Sequence, residues 1–305
     1  MTVTQPLTGS LVTGLYWHSG EPALTLADPG GGEHPVRLHP GGTVGWRLAG
    51  PRRCTGIWLA DTGHRRPCPH AAEIPEPGAA AQCPACAAAD PGRLLARDRT
   101  LDRRTFAVYL AWFGPDLVKV GITAADRGTD RLAEQGALAF TWLARGPHLA
   151  ARAAEHAATA AGVRDRIGRQ AKIGGWSQPT DLGERREQLT ATHRRLADAV
   201  TWPPSLHPLP CQVHDLTNRY GLTSPPPAPA AEITAVRDGS VLAATLTCLV
   251  GRDAILHTMN AAVLADLRLL SGWTLTPGTG PTRGLHLAPL VTVRSHHADG
   301  QDTLF

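Results

Sequence analysis

The chain has 305 residues, of which 42% are hydrophobic and 18% are charged. This balance excludes a disordered chain, and the length predicts about two domains. The net charge of +4 permits nucleic-acid binding without requiring it, so any binding face must be local. The sequence contains neither a secretory signal nor an apolar stretch long enough to cross a membrane. We therefore expect a cytoplasmic protein with reduced cysteines and no membrane partner.

Residues 1–95 are predicted to form a β-rich region that also carries most of the cysteines. Within residues 3–60, short apolar runs alternate with the turn sequences Pro29-Gly30-Gly31-Gly32 and Pro40-Gly41-Gly42. This alternation of apolar runs and turn sequences is typical of short strands joined by tight turns.

Residues 96–202 are predicted to form a module of their own, and residues 94–180 alternate between strand-like and helix-like patterns. Residues 106–112 and 117–122 are apolar strand candidates, and the sequence Gly114-Pro115-Asp116 between them has turn chemistry. The pair therefore predicts a β-hairpin. Residues 149–161 are rich in alanine and lack glycine and proline, which predicts a helix. Residues 184–200 are predicted to form another helix.

Prolines are concentrated in two stretches that follow, at 203–210 and 225–229. Proline-rich segments favour extended backbone. Residues 203–231 are therefore interpreted as a linker or a surface strap.

Residues 232–305 are predicted to be a second β-rich region, with strands between 232 and 295. The sequence at 238–242 resembles the sequence at 8–12. This likeness raises the alternative that the two β-rich ends pair into one β-domain.

Four cysteines, Cys54, Cys68, Cys83 and Cys86, lie within a short stretch. The last two form a CxxC turn, in which two thiolates can bind one metal ion while backbone amides point at the sulfurs. Four thiolates form the closed tetrahedral set that structural zinc prefers. The sequence therefore predicts a structural zinc site with no open position for catalysis.

Other cysteines and histidines leave alternatives open. His64 and His70 could each replace Cys54 or Cys68 as a ligand. Cys211 and Cys248 stand alone in apolar surroundings and are interpreted as core residues.

Two strand triplets in the middle region are followed by a characteristic pair of charged residues. The triplets Ala107-Val108-Tyr109 and Lys119-Val120-Gly121 have nine residues between them, and Arg131 and Glu155 follow on successive predicted helices. This series resembles the GIY-YIG nuclease family, especially members with lysine in place of the second tyrosine. The cysteines and the sequence 134–137 also resemble a group of zinc-containing members.

The resemblance implies catalytic roles for four residues. Tyr109, or a water near it, would help to deprotonate the nucleophilic water, and Lys119 on the paired strand would supply a positive field or contact the phosphate itself. Glu155 would hold Mg²⁺ or Mn²⁺, and Arg131 would offset phosphate charge. A single carboxylate is a weak Mg²⁺ site unless phosphate oxygens complete the coordination.

Each of these residues also has a structural interpretation. Tyr109 could be a core aromatic residue, and Arg131 and Glu155 could be solvated helix residues. Lys119 stands where the family has tyrosine, which removes a candidate base. Arg127 competes with Arg131 for the phosphate role.

Basic residues are concentrated near the end of the middle region. Arg164, Arg166, Arg169 and Lys172 precede the sequence Gly174-Gly175-Trp176. A basic run beside a glycine-rich turn and an aromatic ring could hold phosphates and stack a base. The alternative is a solvated helix end. The arginines at 52, 53, 65 and 66 could extend such a binding face.

The sequence predicts an α+β protein in which a small mixed-sheet GIY-YIG-like module lies between β-rich flanks, with the zinc site on its N-terminal side. The leading hypothesis is a metal-dependent phosphodiester hydrolase that acts on nucleic acid. The alternatives are a nucleic-acid-binding module without hydrolysis, or an enzyme that uses the same fold on a small-molecule substrate in a biosynthetic pathway.

Overall fold

The computed structural model describes residues 9–30, 32–59, 64–76, 78, 80–96, 102–178 and 181–290. Within these residues the chain is a mixture of α and β structure, with seventeen strands and six α-helices. Parts of the predicted β-rich ends (residues 3–8, residue 60 and residues 291–295) and the predicted turn residue Gly31 lie outside the described residues.

The strands and helices follow the chain in a simple order. The strands are β1 (Ser10–His18), β2 (Glu21–Ala27), β3 (Glu33–Arg37), β4 (Thr43–Ala49), β5 (Ile57–Leu59), β6 (His64–Arg66), β7 (Thr105–Trp112), β8 (Val118–Ala124), β9 (Ala139–Pro147), β10 (His207–Pro208), β11 (His214–Asp215), β12 (Ala231–Ala235), β13 (Val241–Val250), β14 (Asp253–His257), β15 (Ala262–Asp266), β16 (Thr274–Pro277) and β17 (His286–Pro289). The helices are α1 (Pro84–Ala88), α2 (Pro91–Ala96), α3 (Asp130–Gln135), α4 (His148–Ala160), α5 (Arg169–Ser177) and α6 (Leu182–Ala199).

A ten-stranded sheet contains strands from both ends of the chain, in the order β17-β12-β15-β14-β13-β4-β16-β1-β2-β3. Strand β4 pairs with β13 on one side and with β16 on the other. The two β-rich ends therefore do pair with each other, as the alternative interpretation of the sequence proposed. Because β12 and β15 run parallel while the other pairs are antiparallel, this large sheet is mixed.

A smaller sheet in the middle region has the order β10-β9-β7-β8, and β11 also pairs with β9. The predicted hairpin is confirmed, because β7 pairs with β8 in register from Phe106 opposite Ala124 to Trp112 opposite Val118. The prediction of a mixed sheet here was wrong. Strands β8 and β9 run in the same direction, but β7 lies between them, so every pair of strands is antiparallel.

The two long helices confirm the helix predictions for residues 149–161 and 184–200, with boundaries displaced by one or two residues. Helix α4 buries four of its alanines, including Ala151 and Ala154, and packs against β7, β8 and β9. Alanine gives such a helix both high propensity and a flat face for close packing. Helix α4 therefore holds Glu155 beside the hairpin.

The proline-rich segment 203–231 is not a simple linker between the described parts of the chain. Strand β10 pairs with β9 at Arg145 and Ala144, and β11 pairs with the same strand at Phe140 and Ala139. Proline is tolerated here because β10 lies at the edge of its sheet. This segment thus extends the small sheet before the chain returns to the large one.

Gly174 and Gly175 lie inside helix α5, so the predicted glycine-rich turn was wrong. Gly175 contacts the turn after β7 so closely that an added Cβ would overlap the carbonyl oxygen of Phe113 and lie 2.9 Å from its carbonyl carbon. Gly174, by contrast, faces open space. The helix therefore needs a glycine at 175 for packing.

One continuous hydrophobic cluster extends through both sheets and their helices. Trp17 of the large sheet contacts Tyr220 edge-to-face at 5.3 Å and donates a hydrogen bond to the carbonyl oxygen of Gly251 at 2.8 Å. Tyr220 in turn donates to the carbonyl oxygen of Ala137 at the end of α3. The middle region is thus packed directly onto the large sheet. No described helix is both long and apolar enough to cross a membrane.

We expect Gly175→Ala to lower the free energy of unfolding by roughly 1–3 kcal/mol, because the methyl group would force helix α5 away from Phe113. Gly174→Ala is the matched control, and it should be neutral or stabilise the protein by up to about 1 kcal/mol, since alanine is the better helix former. Urea unfolding of both variants measures the difference. Equal stability of the two variants would contradict the packing described here.

Candidate metal centre and candidate catalytic face

The four cysteines predicted as ligands come together in the folded chain. The Sγ atoms of Cys54, Cys68, Cys83 and Cys86 all lie within 4.8 Å of one another. Neither His64 nor His70 belongs to the group. Among the described residues this is the only group of three or more His, Cys, Asp or Glu side chains arranged to hold one metal ion.

The backbone around the cluster directs N–H groups at the sulfurs. Cys54 Sγ accepts from the backbone nitrogens of Cys83 at 3.2 Å and Gly56 at 3.4 Å. Burial acts to raise the pKa of Cys68, but hydrogen bonds from the backbone of Ala72 and His70, together with those of Cys54 and Cys86, lower it to about 7. Such donors stabilise thiolate, the form that binds metal.

The cluster forms a small core of its own. In the described part of the chain it contains six buried residues, of which four are these cysteines and the others are Ile57 and Ile74. So few apolar side chains provide little hydrophobic stabilisation, which is the situation in which small structural units rely on a metal. The donor set and its surroundings therefore fit a structural metal ion.

Arg52 connects this unit to the large sheet. Its buried guanidinium donates to the carbonyl oxygens of Ser271 at 2.9 Å, Pro75 at 2.9 Å and Ala80 at 2.8 Å. Arg65 is buried as well and pairs with Glu33 at 2.9 Å. These two arginines are structural, which corrects the interpretation that they extend a nucleic-acid face.

Cys211 and Cys248 lie apart from the cluster. Cys248 is fully buried in β13, which confirms its assignment to the core. Cys211 is only partly buried, and its Sγ lies 3.8 Å from the hydroxyl oxygens of Thr141 and Thr190.

A second candidate site lies on one face of the β7–β8 hairpin. Tyr109 pairs with Gly121 across the hairpin, and Lys119 is two residues from Gly121, so the three share a face. A Cβ on Gly121 would overlap the Tyr109 hydroxyl, so the glycine makes room for the phenol ring. Tyr109 is only 1% exposed. Its hydroxyl accepts a hydrogen bond from Gln135 Nε2 at 2.7 Å.

The charged candidates surround this tyrosine. Burial raises the pKa of Tyr109, while the Gln135 hydrogen bond and the Arg131 charge lower it and the Glu155 charge raises it. Burial lowers the pKa of Lys119, Glu155 opposes that effect, and Arg131 adds to it. Tyr109, Lys119, Arg131 and Glu155 therefore lie within electrostatic range of one another.

Lys172 joins the same group from helix α5. Its Nζ donates to the carbonyl oxygen of Gln135 at 2.9 Å and lies 4.3 Å from the ring centre of Phe113. Burial and the charge of Lys119 together lower the pKa of Lys172 to about 8. The two lysines of the chain are thus neighbours. We call the group Tyr109, Lys119, Arg131, Glu155 and Lys172 the hairpin face.

Two carboxylates form ion pairs with arginines at or beside the hairpin face. Glu134 accepts from Arg127 at 2.5 Å and from Arg131 at 3.2 Å. Glu155, whose side chain is 12% exposed, accepts from Arg152 at 2.7 Å. Sequence reasoning missed Gln135, Glu134 and Arg152 in these roles. Only the helical spacing of Arg131 with Glu134 and of Arg152 with Glu155 could have indicated the ion pairs.

The remaining basic candidates divide into exposed and structural residues. Arg164 and Arg166 are exposed. The backbone of Arg164 forms an isolated parallel β-bridge with Lys119. Arg169 instead pairs with Glu232 and, at 2.7 Å, with Asp253 of the large sheet. Trp176 is 4% exposed and packs in the core. Arg169 and Trp176 therefore do not belong to the binding face, because two carboxylates already hold Arg169 and the Trp176 ring is buried.

Fold and site together define a β-rich α+β protein with a four-cysteine cluster that could hold a metal ion. The chain belongs to the family described as Protein of unknown function (DUF2797), whose profile matches residues 73–275. The match includes Cys83, Cys86 and the whole hairpin face. No curated protein and no solved structure matches the chain significantly.

We expect the purified chain to carry one tightly bound metal ion, because four converging thiolates form a complete ligand set. Cys86→Ser should abolish stoichiometric metal and destabilise the protein, whereas Cys211→Ser, outside the cluster, should leave the metal content unchanged. Elemental analysis after gel filtration measures both. Metal loss in the Cys211 variant, or retention in the Cys86 variant, would contradict the assignment.

Proposed function

We propose that this chain is a metal-dependent phosphodiester hydrolase of the GIY-YIG type, acting on nucleic acid at the hairpin face. The observation that supports the proposal best is the convergence of a tyrosine, two lysines, an arginine and a glutamate from five separate segments of the chain. Among 30 basic residues only two are lysines, and both lie in this group. A concentration of perturbed ionisable groups is typical of functional sites.

The charges of the hairpin face suit a phosphate. Lys119, Lys172 and Arg131 carry three positive charges when protonated, against the single carboxylate of Glu155. Glu134 pairs with both Arg127 and Arg131, so it offsets only one of their two positive charges, and the Arg131 side chain is 47% exposed. Arg164 and Arg166 are exposed next to Lys119 and would add positive charge for the phosphates of a nucleic-acid strand.

In the proposed mechanism Lys119 is a better base than Tyr109. Burial raises the pKa of Tyr109, so its phenol stays protonated near neutral pH. Gln135 donates to the phenol oxygen and holds the buried ring in place within the hairpin face. Burial lowers the pKa of Lys119, which brings its amine closer to the range in which it can accept the proton of the attacking water. This assignment replaces the expectation that Tyr109 acts as the base.

Glu155 is the one residue we assign to a catalytic cation. Its side chain is partly exposed and accepts from Arg152 through Oε2, which leaves oxygen lone pairs for a second partner. A bound Mg²⁺ or Mn²⁺ supplies charge stabilisation at the phosphate. One carboxylate requires phosphate oxygens to complete the coordination, so we expect this cation to bind together with substrate.

We propose that the four-cysteine cluster holds zinc in a structural role. Sulfurs each about 2.3 Å from one tetrahedral ion lie roughly 3.8 Å apart, and the Sγ atoms of Cys68 and Cys83 are 4.0 Å apart. Zinc bound by four thiolates has no position for water and does not activate a nucleophile. A reducing cytoplasm would keep these cysteines available to the metal.

A second candidate function is nucleic-acid binding without hydrolysis. The full burial of Tyr109 favours it, because a buried phenol with a raised pKa contributes little as a base. Binding would then be salt-sensitive and independent of Mg²⁺.

Glu155→Gln should abolish Mn²⁺-dependent cleavage of DNA or RNA, because the amide keeps the shape of the side chain and removes the charge that holds the cation. Glu187→Gln, exposed on helix α6, is the matched control and should cleave like the wild type. Cleavage is measured on labelled strands with and without EDTA. If neither the wild type nor the control cleaves any strand but both bind in a salt-sensitive manner, the second candidate function is the correct one.

Phosphate-dependent binding should weaken between pH 7 and pH 9, because the pKa of Lys172 is about 8 and its amine loses its positive charge over that interval. Lys172→Arg keeps the charge at both pH values, so its binding should vary less with pH. Fluorescence anisotropy with a labelled strand, in buffer without divalent cations, measures both. A pH dependence that is identical in the wild type and the variant would show that Lys172 does not contact phosphate.

A further inference from the structure

A cavity of about 630 Å³ lies between strands β1–β3, the β5–β6 hairpin and helix α3. This volume is typical of small-ligand sites. The cavity is separate from the hairpin face, but the two share helix α3. Asp130 and Glu134, one turn apart, line the cavity, whereas Gln135 of the same helix donates to Tyr109 and accepts from Lys172 through its carbonyl oxygen. The cavity and the hairpin face therefore occupy adjacent sides of one helix.

The walls of the cavity are fixed to each other. The Asp130 carboxylate accepts from the backbone nitrogens of Ser19 at 3.0 Å and Gly20 at 2.8 Å, in the turn between β1 and β2. Arg65 joins the β5–β6 hairpin to Glu33 of β3 at 2.9 Å. The site is thus preformed, which limits the ordering cost of binding a ligand.

An aromatic platform forms one side of the cavity. The rings of Tyr16 and Trp58 lie 5.8 Å apart with a tilt of 33°. Arg65 lies about 6 Å from both ring centres and donates a hydrogen bond to the Tyr16 hydroxyl. These contacts hold the platform in place, yet Trp58 remains 37% exposed. An exposed, fixed indole ring on a cavity wall is suited to stacking against a planar ligand.

The polar lining of the cavity is richer in hydrogen-bond acceptors than in cations. Five carboxylates line it with Arg37 and Arg127, and Arg65 and Arg104 pair with two of them from outside the lining; the carboxylates are Glu21, Glu33, Asp126, Asp130 and Glu134. Carboxylates repel an anion, but they accept hydrogen bonds from amino groups. The ligand that fits is a flat ring with exposed amino or imino donors, which describes guanine, adenine and cytosine.

Glu134 links the cavity to the hairpin face. One of its oxygens accepts from Arg127 and the other from Arg131, the residue to which we assign phosphate binding. A nucleotide whose base lies in the cavity could therefore place its phosphate beside Arg131, around the edge of α3.

We propose that this cavity is a nucleobase subsite that receives an unpaired, amino-bearing base and stacks it on Trp58. The proposal depends on the proposed function only for the position of the phosphate. The base can come from a single strand or from a free mononucleotide, and the experiment separates these sources.

The test measures binding of the full chain to two fluorescein-labelled single strands, in buffer without Mg²⁺ or Mn²⁺ so that hydrolysis does not contribute. The first strand carries guanine and adenine. The second strand has the same backbone but carries abasic sites throughout. We expect the wild type to bind the base-bearing strand at least about tenfold more tightly than the abasic strand, from base–aromatic stacking. Trp58→Ala should remove this difference, and Trp58→Phe should keep most of it.

Met259→Ala, which truncates an exposed apolar side chain on the β14–β15 turn, is the control and should behave like the wild type. A Trp58-dependent affinity for guanosine monophosphate, without any preference between the two strands, would identify a free nucleotide as the source of the base. The proposal is wrong if Trp58→Ala weakens both strands equally, if the preference for bases survives in that variant, or if no strand and no mononucleotide binds. Because no cleavage is measured, failure of the hydrolase proposal alone would leave the Trp58-dependent preference intact.

Discussion

The hydrogen bonds of β4 are the constraint on which the rest of the structure depends. Both edges of this early strand are occupied by strands from the far end of the chain, β13 and β16. The chain must therefore leave the large sheet after β4 and return to it later, so the intervening segment is held to this sheet near both of its ends. The cysteine cluster and the small sheet lie in that intervening segment. Arg52 secures its beginning against Ser271, and Arg169 secures its later part against Asp253.

The hairpin face is positioned by packing rather than by a dedicated loop. Gly121 makes room for Tyr109, and Gly175 lets helix α5 approach the turn after β7. That approach brings Lys172 to the ring of Phe113 and to the backbone of Gln135, whose side chain holds the tyrosine hydroxyl. Two glycines without side chains thus determine where two lysines and a tyrosine meet.

Local features of the fold were predictable because their causes are local. The hairpin followed from a turn sequence between two apolar runs, helix α4 from its alanines, and the cysteine cluster from the spacing of Cys83 and Cys86. Features that depend on distant partners were not predictable. The sequence around Trp176 does not indicate that its ring is buried, and the sequence around Arg169 does not predict its ion pair with Glu232.

The same limit applies to the candidate sites. The likeness between residues 8–12 and 238–242 only hinted that the chain ends share a sheet, because strand pairing over such separation leaves little local trace. The cavity beside α3 left no signal in the sequence, since its walls come from the first three strands, the β5–β6 hairpin and a helix much later in the chain.

The position of β4 between two strands from the far end of the chain also has a consequence for synthesis on the ribosome. Strand β4 emerges early, but both of its neighbours in the sheet emerge only after the whole middle region has been made. The small sheet draws all its strands from residues 105–215 and can close in the meantime. During translation the N-terminal strands therefore present an unpaired edge, which is the kind of surface that chaperones and aggregation both recognise.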